Sequence, residues 1–288
     1  MAEKVYVSGK GSSFTLIDDT TSPVTISIPL LPGSYRNVTR NVAVDTYAQG
    51  NPSSVWPETY ALGPSTTGYT VTTRAIPSGW FTAANLNKMF VTRDSNGDSQ
   101  LMGGRWNDGL VAHLDTVKPT GLQIVGNASS PNPVAVQMGF IGTNAAGTTP
   151  GAHVSVVGAA EVTFNTITFK QGSTTPTQVS AFDLTIGISA EFRKWFNGNP
   201  TSVDAIDPGS CSGRLRIVQG LGAAIRVDDM DICTFEIGFG PSAPVIAVSC
   251  IQAEGSTPVN IGGNASMAST WAVVAVGANP AIAITQAT

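Results

Sequence analysis

Histidine, charge and long apolar runs are what this chain has least of. Only His113 and His153 occur in 288 residues, and neither is set in a pattern with a partnered acid. General-base chemistry or a metal site built on imidazole is therefore poorly provided for. Charged side chains make up 12% of the chain, about half the ordinary share. The 15 Lys and Arg are outnumbered by 19 Asp and Glu, for a net charge of −4, and no basic cluster forms. A protein that grips phosphates needs such a cluster, because counterion release supplies most of the affinity. No apolar stretch reaches the roughly 18 residues of a spanning helix. The opening Met1-Ala2-Glu3-Lys4 lacks the apolar core of a secretory signal, so no membrane anchor is expected. The three cysteines, Cys211, Cys233 and Cys250, are odd in number and read as small buried hydrophobes in a reducing compartment. The triplets at Asn37, Asn127 and Asn264 match a glycosylation acceptor that matters only in a secreted chain, and they read as incidental.

What the chain does hold is 42% hydrophobic residues, 31 Gly and 18 Pro, with abundant Ser, Thr, Val and Ala. Val and Thr suit a pleated surface, and Gly and Pro punctuate turns. A helical bundle is excluded by composition, and disorder by the apolar content. Short alternating runs predict strands at 4–8, 13–18, 24–30, 69–75, 90–93, 110–114, 121–125, 134–141, 153–157, 161–169, 179–188, 213–218, 225–228, 232–239, 245–253, 271–276 and 281–285. Many short strands at this spacing imply a mainly β fold, a sandwich or barrel. Two short helices are expected. One, at 80–90, has Thr82 as N-cap and Leu86 and Phe90 four apart. The other, at 189–198, has Ser189 as N-cap, Phe192 and Phe196 four apart, and Gly198 as its stop.

A faint internal repeat sets the domain question. Gly50-Asn51-Pro52-Ser53-Ser54-Val55 returns as Gly198-Asn199-Pro200-Thr201-Ser202-Val203, an offset of 198 − 50 = 148. Pro133-Val134-Ala135-Val136 resembles Pro244-Val245-Ile246-Ala247-Val248 at 244 − 133 = 111. The shrinking offset places extra residues in the first half, within 77–110. Either the chain is two tandem copies, 1–150 and 151–288 with the boundary near the Gly-rich stretch 142–151, or it is one elaborated domain.

The motifs that could carry chemistry have simpler readings. Gly209-Ser210-Cys211-Ser212-Gly213 has the glycine spacing of a nucleophile elbow, but a strand at 213–218 follows where a helix is required. Gly220-Leu221-Gly222-Ala223-Ala224-Ile225 lacks the third glycine of a dinucleotide loop and reads as a hairpin turn. Asp94-Ser95-Asn96-Gly97-Asp98 lacks the ligand register of a calcium loop, and Asn96-Gly97 favours a two-residue hairpin. Asp18-Asp19 and Asp228-Asp229 with Asp231 read as solvated loop ends. Trp56, Trp80, Trp106, Trp195 and Trp271 are scattered and read as core or interface anchors. No catalytic, cofactor-binding or metal-ligating residue is nominated, and an enzyme is not expected.

Several segments resemble the tail tube proteins of long-tailed bacteriophages. Gly11-Ser12-Ser13-Phe14-Thr15-Leu16-Ile17-Asp18-Asp19 resembles the first strand and turn of that family. Asn41-Val42-Ala43-Val44-Asp45-Thr46-Tyr47-Ala48-Gln49-Gly50 resembles a strand entering one of its long loops. Val179 to Ile186 and Pro208 to Val218 resemble the paired strands that line the tube, and Thr257 to Ala265 with Ala281 to Ile284 resembles the closing loop and strand. About half the chain is covered. Many members are shorter and have one domain. The resemblance implies a tail-tube β fold and a structural virion protein that stacks in rings to make a conduit for DNA ejection. It implies self-assembly as a hexamer or as a trimer of pseudo-hexameric symmetry, contacts with a tape-measure and other tail proteins, and a place in the virion tail. Ring walls should be polar and weakly acidic so that DNA passes without specific binding, and the segment 34–67 should form loops that order on stacking. Other readings are a capsid decoration or minor tail protein and, less well supported by the N-terminus, a secreted adhesion module.

Overall fold

The structure, a computed structural model, describes residues 12–18, 25–45, 59–92, 101–107, 112–129, 133–143, 147–148, 160–176, 178–192, 203–204, 211–220, 231–261 and 264–287. In chain order the strands of the first half are β1 (Ser13–Asp18), β2 (Thr25–Pro29), β3 (Tyr35–Asp45), β4 (Thr59–Arg74), β5 (Leu101–Asn107), β6 (Ala112–Asp115), β7 (Val117–Asn127), β8 (Ala135–Thr143) and β9 (Gly147–Thr148). Those of the second half are β10 (Thr168–Gln171), β11 (Val179–Gly187), β12 (Glu191–Phe192), β13 (Val203–Asp204), β14 (Ser212–Gly220), β15 (Ile232–Gly238), β16 (Pro244–Ile261), β17 (Asn264–Val273) and β18 (Ile282–Gln286). The expected mainly β architecture is present, in large antiparallel sheets consistent with a β-sandwich.

An eleven-stranded sheet runs β10-β15-β16-β17-β14-β11-β7-β8-β4-β3, with β18 added beside β16; a five-stranded sheet runs β2-β1-β5-β6-β9. The core lies where these layers face each other, and alternation along each strand supplies it. Phe14 of β1 stacks at 5.1 Å on both Tyr69 of β4 and Phe140 of β8. Phe235 of β15 meets Trp271 of β17 edge-on at 4.9 Å. All five of these rings are buried in one continuous cluster.

The helix at 80–90 forms as α1 (Ala83–Leu86) and continues as a π-helical turn, Asn87–Val91. Thr82 is its N-cap, and its hydroxyl accepts the Asn85 N–H at 3.2 Å. Both Leu86 and Phe90 are buried. The C-terminal strand holds this element in place. Gln286 Oε1 accepts the Ala83 N–H at 3.0 Å, and Asn87 Nδ2 donates to the Ile284 carbonyl at 2.8 Å.

Four expectations fail. The strand at 90–93 gives way to the π-helical turn, because Phe90 is buried with Leu86 on one helical face. The strand at 161–169 is broken by a 3₁₀ turn, Phe164–Thr166, where the Thr166 hydroxyl and N–H both return to the Thr163 carbonyl. This local bonding competes with the ladder. The helix at 189–198 is contradicted at its start, where Glu191–Phe192 pairs antiparallel with Val203–Asp204. Within the segment 34–67 the described residues are strand where loop was expected: β3 and β4 form a long antiparallel pair from Tyr35↔Thr70 to Asp45↔Thr59, and residues 46–58 lie outside the described residues. The strands at 4–8, 153–157 and 225–228 lie outside the described residues.

The pairing of the second half retraces that of the first. β3-β4-β8-β7 is one antiparallel run, and β11-β14-β17-β16 is another in the same chain order. The two runs are joined by β7 against β11. β1-β5-β6-β9 is likewise retraced by β10-β15-β16-β18, using the first half of β16. Buried positions follow suit: Tyr69, Val71 and Thr73 on β4 match Leu215, Ile217 and Gln219 on β14. Val136, Met138 and Phe140 on β8 match Met267, Ser269 and Trp271 on β17. The look-alikes at Pro133 and Pro244 do not correspond, since one precedes β8 and the other opens β16, whose start takes the place of β6. Among the described residues, β2 and α1 have no counterpart in the second half.

Candidate assembly interface

The large sheet has a buried face and a polar face, and the alternation of its strands creates both. On β14, Leu215 and Ile217 point into the core while Arg214 and Arg216 are exposed. Cross-strand register carries the polar face across the sheet: Thr72 opposes Gln137, Gln137 opposes Gln123, Gln123 opposes Thr185, and Thr185 opposes Arg214. One residue pair along, Asp183 opposes Arg216. Gln123 Nε2 donates to both oxygens of Asp183 at 3.1 Å, and the Thr185 hydroxyl donates to Asp183 Oδ1 at 3.1 Å. This face interleaves amides and hydroxyls with charges of both signs. Arg214 and Arg216 place two positive charges on it.

The edges of the same sheet are where apolar side chains reach solvent. β3 ends the sheet and pairs only with β4 among the described strands; on it Tyr35 is 57% and Val38 41% exposed. β16 pairs with β15 only as far as Ile232↔Ile251, and from Glu254 to Ile261 its described partner is β17 alone. Just there Ile232 and Ile251, directly opposed, are 58% and 43% exposed. Ladder groups that lack a strand partner are a template for another chain, and apolar side chains beside them strengthen it.

The residues singled out for chemistry do not gather. Cys211 is exposed just before β14, which corrects the expectation that all three thiols are buried. Cys233 and Cys250 are free and sit opposite each other on β15 and β16. Burial first, and Cys233 second, pushes the Cys250 thiol up to about 12. Burial likewise raises Cys233, against hydrogen bonds with the Gln171 side chain and the Thr234 backbone that lower it. Thiols held protonated in this way are poor nucleophiles. His113 lies on β6, Asp18 ends β1 and Asp231 is exposed before β15. Among the described residues no group of three or more His, Cys, Asp or Glu could hold a metal ion, and no helix is long and apolar enough to cross a membrane. Trp80, Trp106 and Trp271 are core residues. His153, Trp56, Trp195, the stretch 94–98 and the pair 228–229 lie outside the described residues. One cavity of about 330 Å³ lies beside β10, lined by Phe164, Phe169, Lys170, Pro176 and Phe182 among others, with no catalytic grouping in its wall.

Sequence reasoning missed the two edges and the polar face. The signal for the face was the alternation Arg214-Leu215-Arg216-Ile217; for β3 it was confined to Asn41–Asp45, which resembles a strand entering a loop, while the polar residues before it read as loop. Comparison of the chain with protein-family models and with curated protein sequences returns no match.

Proposed function

We propose that this chain is a structural, non-enzymatic subunit of a phage tail tube: copies join edge to edge into rings, and rings stack into a conduit through which DNA leaves the virion. The observation that carries this reading is the large sheet: among the described strands, β3 and the last part of β16 each lack a partner on one side, Tyr35 and Val38 are exposed on β3, and Ile232 and Ile251 are exposed where β15 leaves β16. Such a heterologous contact closes into a ring when its rotation allows, and closure is what removes the aggregation hazard of free edges. The polar face supports the same reading. Interleaved amides, hydroxyls and opposite charges give no continuous basic stripe that would hold a phosphate backbone. The segment resemblance described above adds the family, and with it a tape-measure protein inside the assembling tube and a place in the virion tail. Purified protein concentrated at neutral pH and imaged in negative stain should show rings or tubes of uniform diameter. Monomers at every concentration and salt would overturn the proposal.

A further inference from the structure

We infer that the β7–β11 junction inside the chain is the pattern for the junction between chains, so that the C-terminal half of β16 pairs antiparallel with β3 of a second copy. This rests on the ring reading and names its contact. The two runs of the large sheet have one order, so β3 holds in the first run the place that β11 holds in the second, and the end of β16 holds the place of β7. Inside the chain these two places are already mated, from Ala181↔Asn127 to Gly187↔Gly121. The remaining pair of places, on β3 and β16, has no described partner.

Burial supports the match. Ile186 of β11 opposes Gly213 of β14, and Val38 of β3 opposes Thr67 of β4, which are corresponding positions in the two runs. Ile186 is 4% exposed, with the β7 run beside it; Val38 is 41% exposed, with nothing described beside it. Val38 is an apolar side chain on the core-facing side of an edge strand, waiting for the neighbour that Ile186 has. One bulge also coincides: β7 shifts register between Pro119 and Gly121, and β16 between Gln252 and Glu254, the corresponding point; β16 has a further shift between Glu254 and Thr257 that β7 lacks, so the match is taken from Thr257 onward.

The in-chain register transfers directly. Val125↔Asp183 becomes Val259↔Tyr35, and Gln123↔Thr185 becomes Thr257↔Asn37. The test is cross-linking in the full chain with Cys211→Ser to remove the exposed thiol. Tyr35→Cys with Val259→Cys, and separately Asn37→Cys with Thr257→Cys, are treated with a short bis-maleimide and run on a denaturing gel. Each double variant should give chain-to-chain products ending at a discrete closed species, and each single variant none. The off-register pair Thr39→Cys with Val259→Cys should react at least tenfold less. Tubes visible in the microscope without in-register products would overturn the junction and leave the tube reading standing. Absence of any assembly in the parent chain would overturn the tube reading itself. Products from both in-register pairs would support the two together.

Discussion

Cys250 gives the sharpest handle at the scale of one residue. Its thiol is fully buried, and its proton is held to about 12 against an ordinary value near 9.0. The folded chain therefore binds this proton more tightly than the unfolded chain. The associated stability is fully present below about pH 9 and is lost as pH rises toward 12. Denaturant unfolding should show stability falling between pH 9 and 11, and Cys250→Ala should flatten that slope. At neutral pH a maleimide should label Cys211 in the native protein and leave Cys250 untouched until unfolding. Tyr69 is a second handle. Its hydroxyl donates to the buried Asp115 carboxylate, tying β4 of the large sheet to β6 of the small one. Tyr69→Phe removes that donor while keeping the ring against Phe14, and should cost about 1–3 kcal/mol in a denaturation midpoint measurement.

Among the elements, β7 and β11 are the seam on which the chain's two halves meet, and Gly126 is what lets them meet closely. Gly126 opposes Phe182, whose ring occupies the space a Cβ at 126 would fill. Gly126→Ala must displace a buried aromatic, so it should lower stability by about 1–3 kcal/mol, measured by chemical unfolding. Which elements could be read from sequence follows from how they are held. β11 and β15 alternate cleanly over one buried face and were legible within a residue or so. Helix α1 was legible because its cap and apolar spacing are local. Of the β3–β4 pair only 41–45 and 69–75 were legible; the start of β3 was not, since residues 35–40 are largely exposed and their ladder rests on backbone bonding. The run at 161–169 had a strand's alternation, yet the Thr166 hydroxyl and N–H both return to the Thr163 carbonyl and close a turn. The mixed character of Glu191–Phe192 shows the reverse, a helical spacing overridden by a partner strand at 203–204.

At the scale of the whole molecule, the sequence could announce strands but not their order, because order depends on pairings between residues as distant in the chain as Ser13 and Asn107. β10 lies at one end of the large sheet and β3 at the other, and β16 pairs with β15 and β18 along its first half and with β17 along its second, with register shifts between. On the proposed edge-to-edge assembly, that order sets the size of the ring. Each chain contributes two runs of four strands, β3-β4-β8-β7 and β11-β14-β17-β16. With strands about 4.8 Å apart and tilted about 40°, two chains would close a barrel of roughly 16 Å radius and three chains one of roughly 24 Å. Side chains lining the bore take about 5 Å of that radius. The two-chain ring then leaves almost no clearance around a hydrated duplex, while the three-chain ring passes it freely. On that proposal the expected assembly is a ring of three chains whose density shows sixfold pseudo-symmetry in projection, broken where, among the described residues, α1 and β2 occur in one half only. Mass measurement of rings dissociated from tubes should give three times the chain mass. Six chains per ring would mean that the two runs do not line the bore as equals, and that one of them packs outside it.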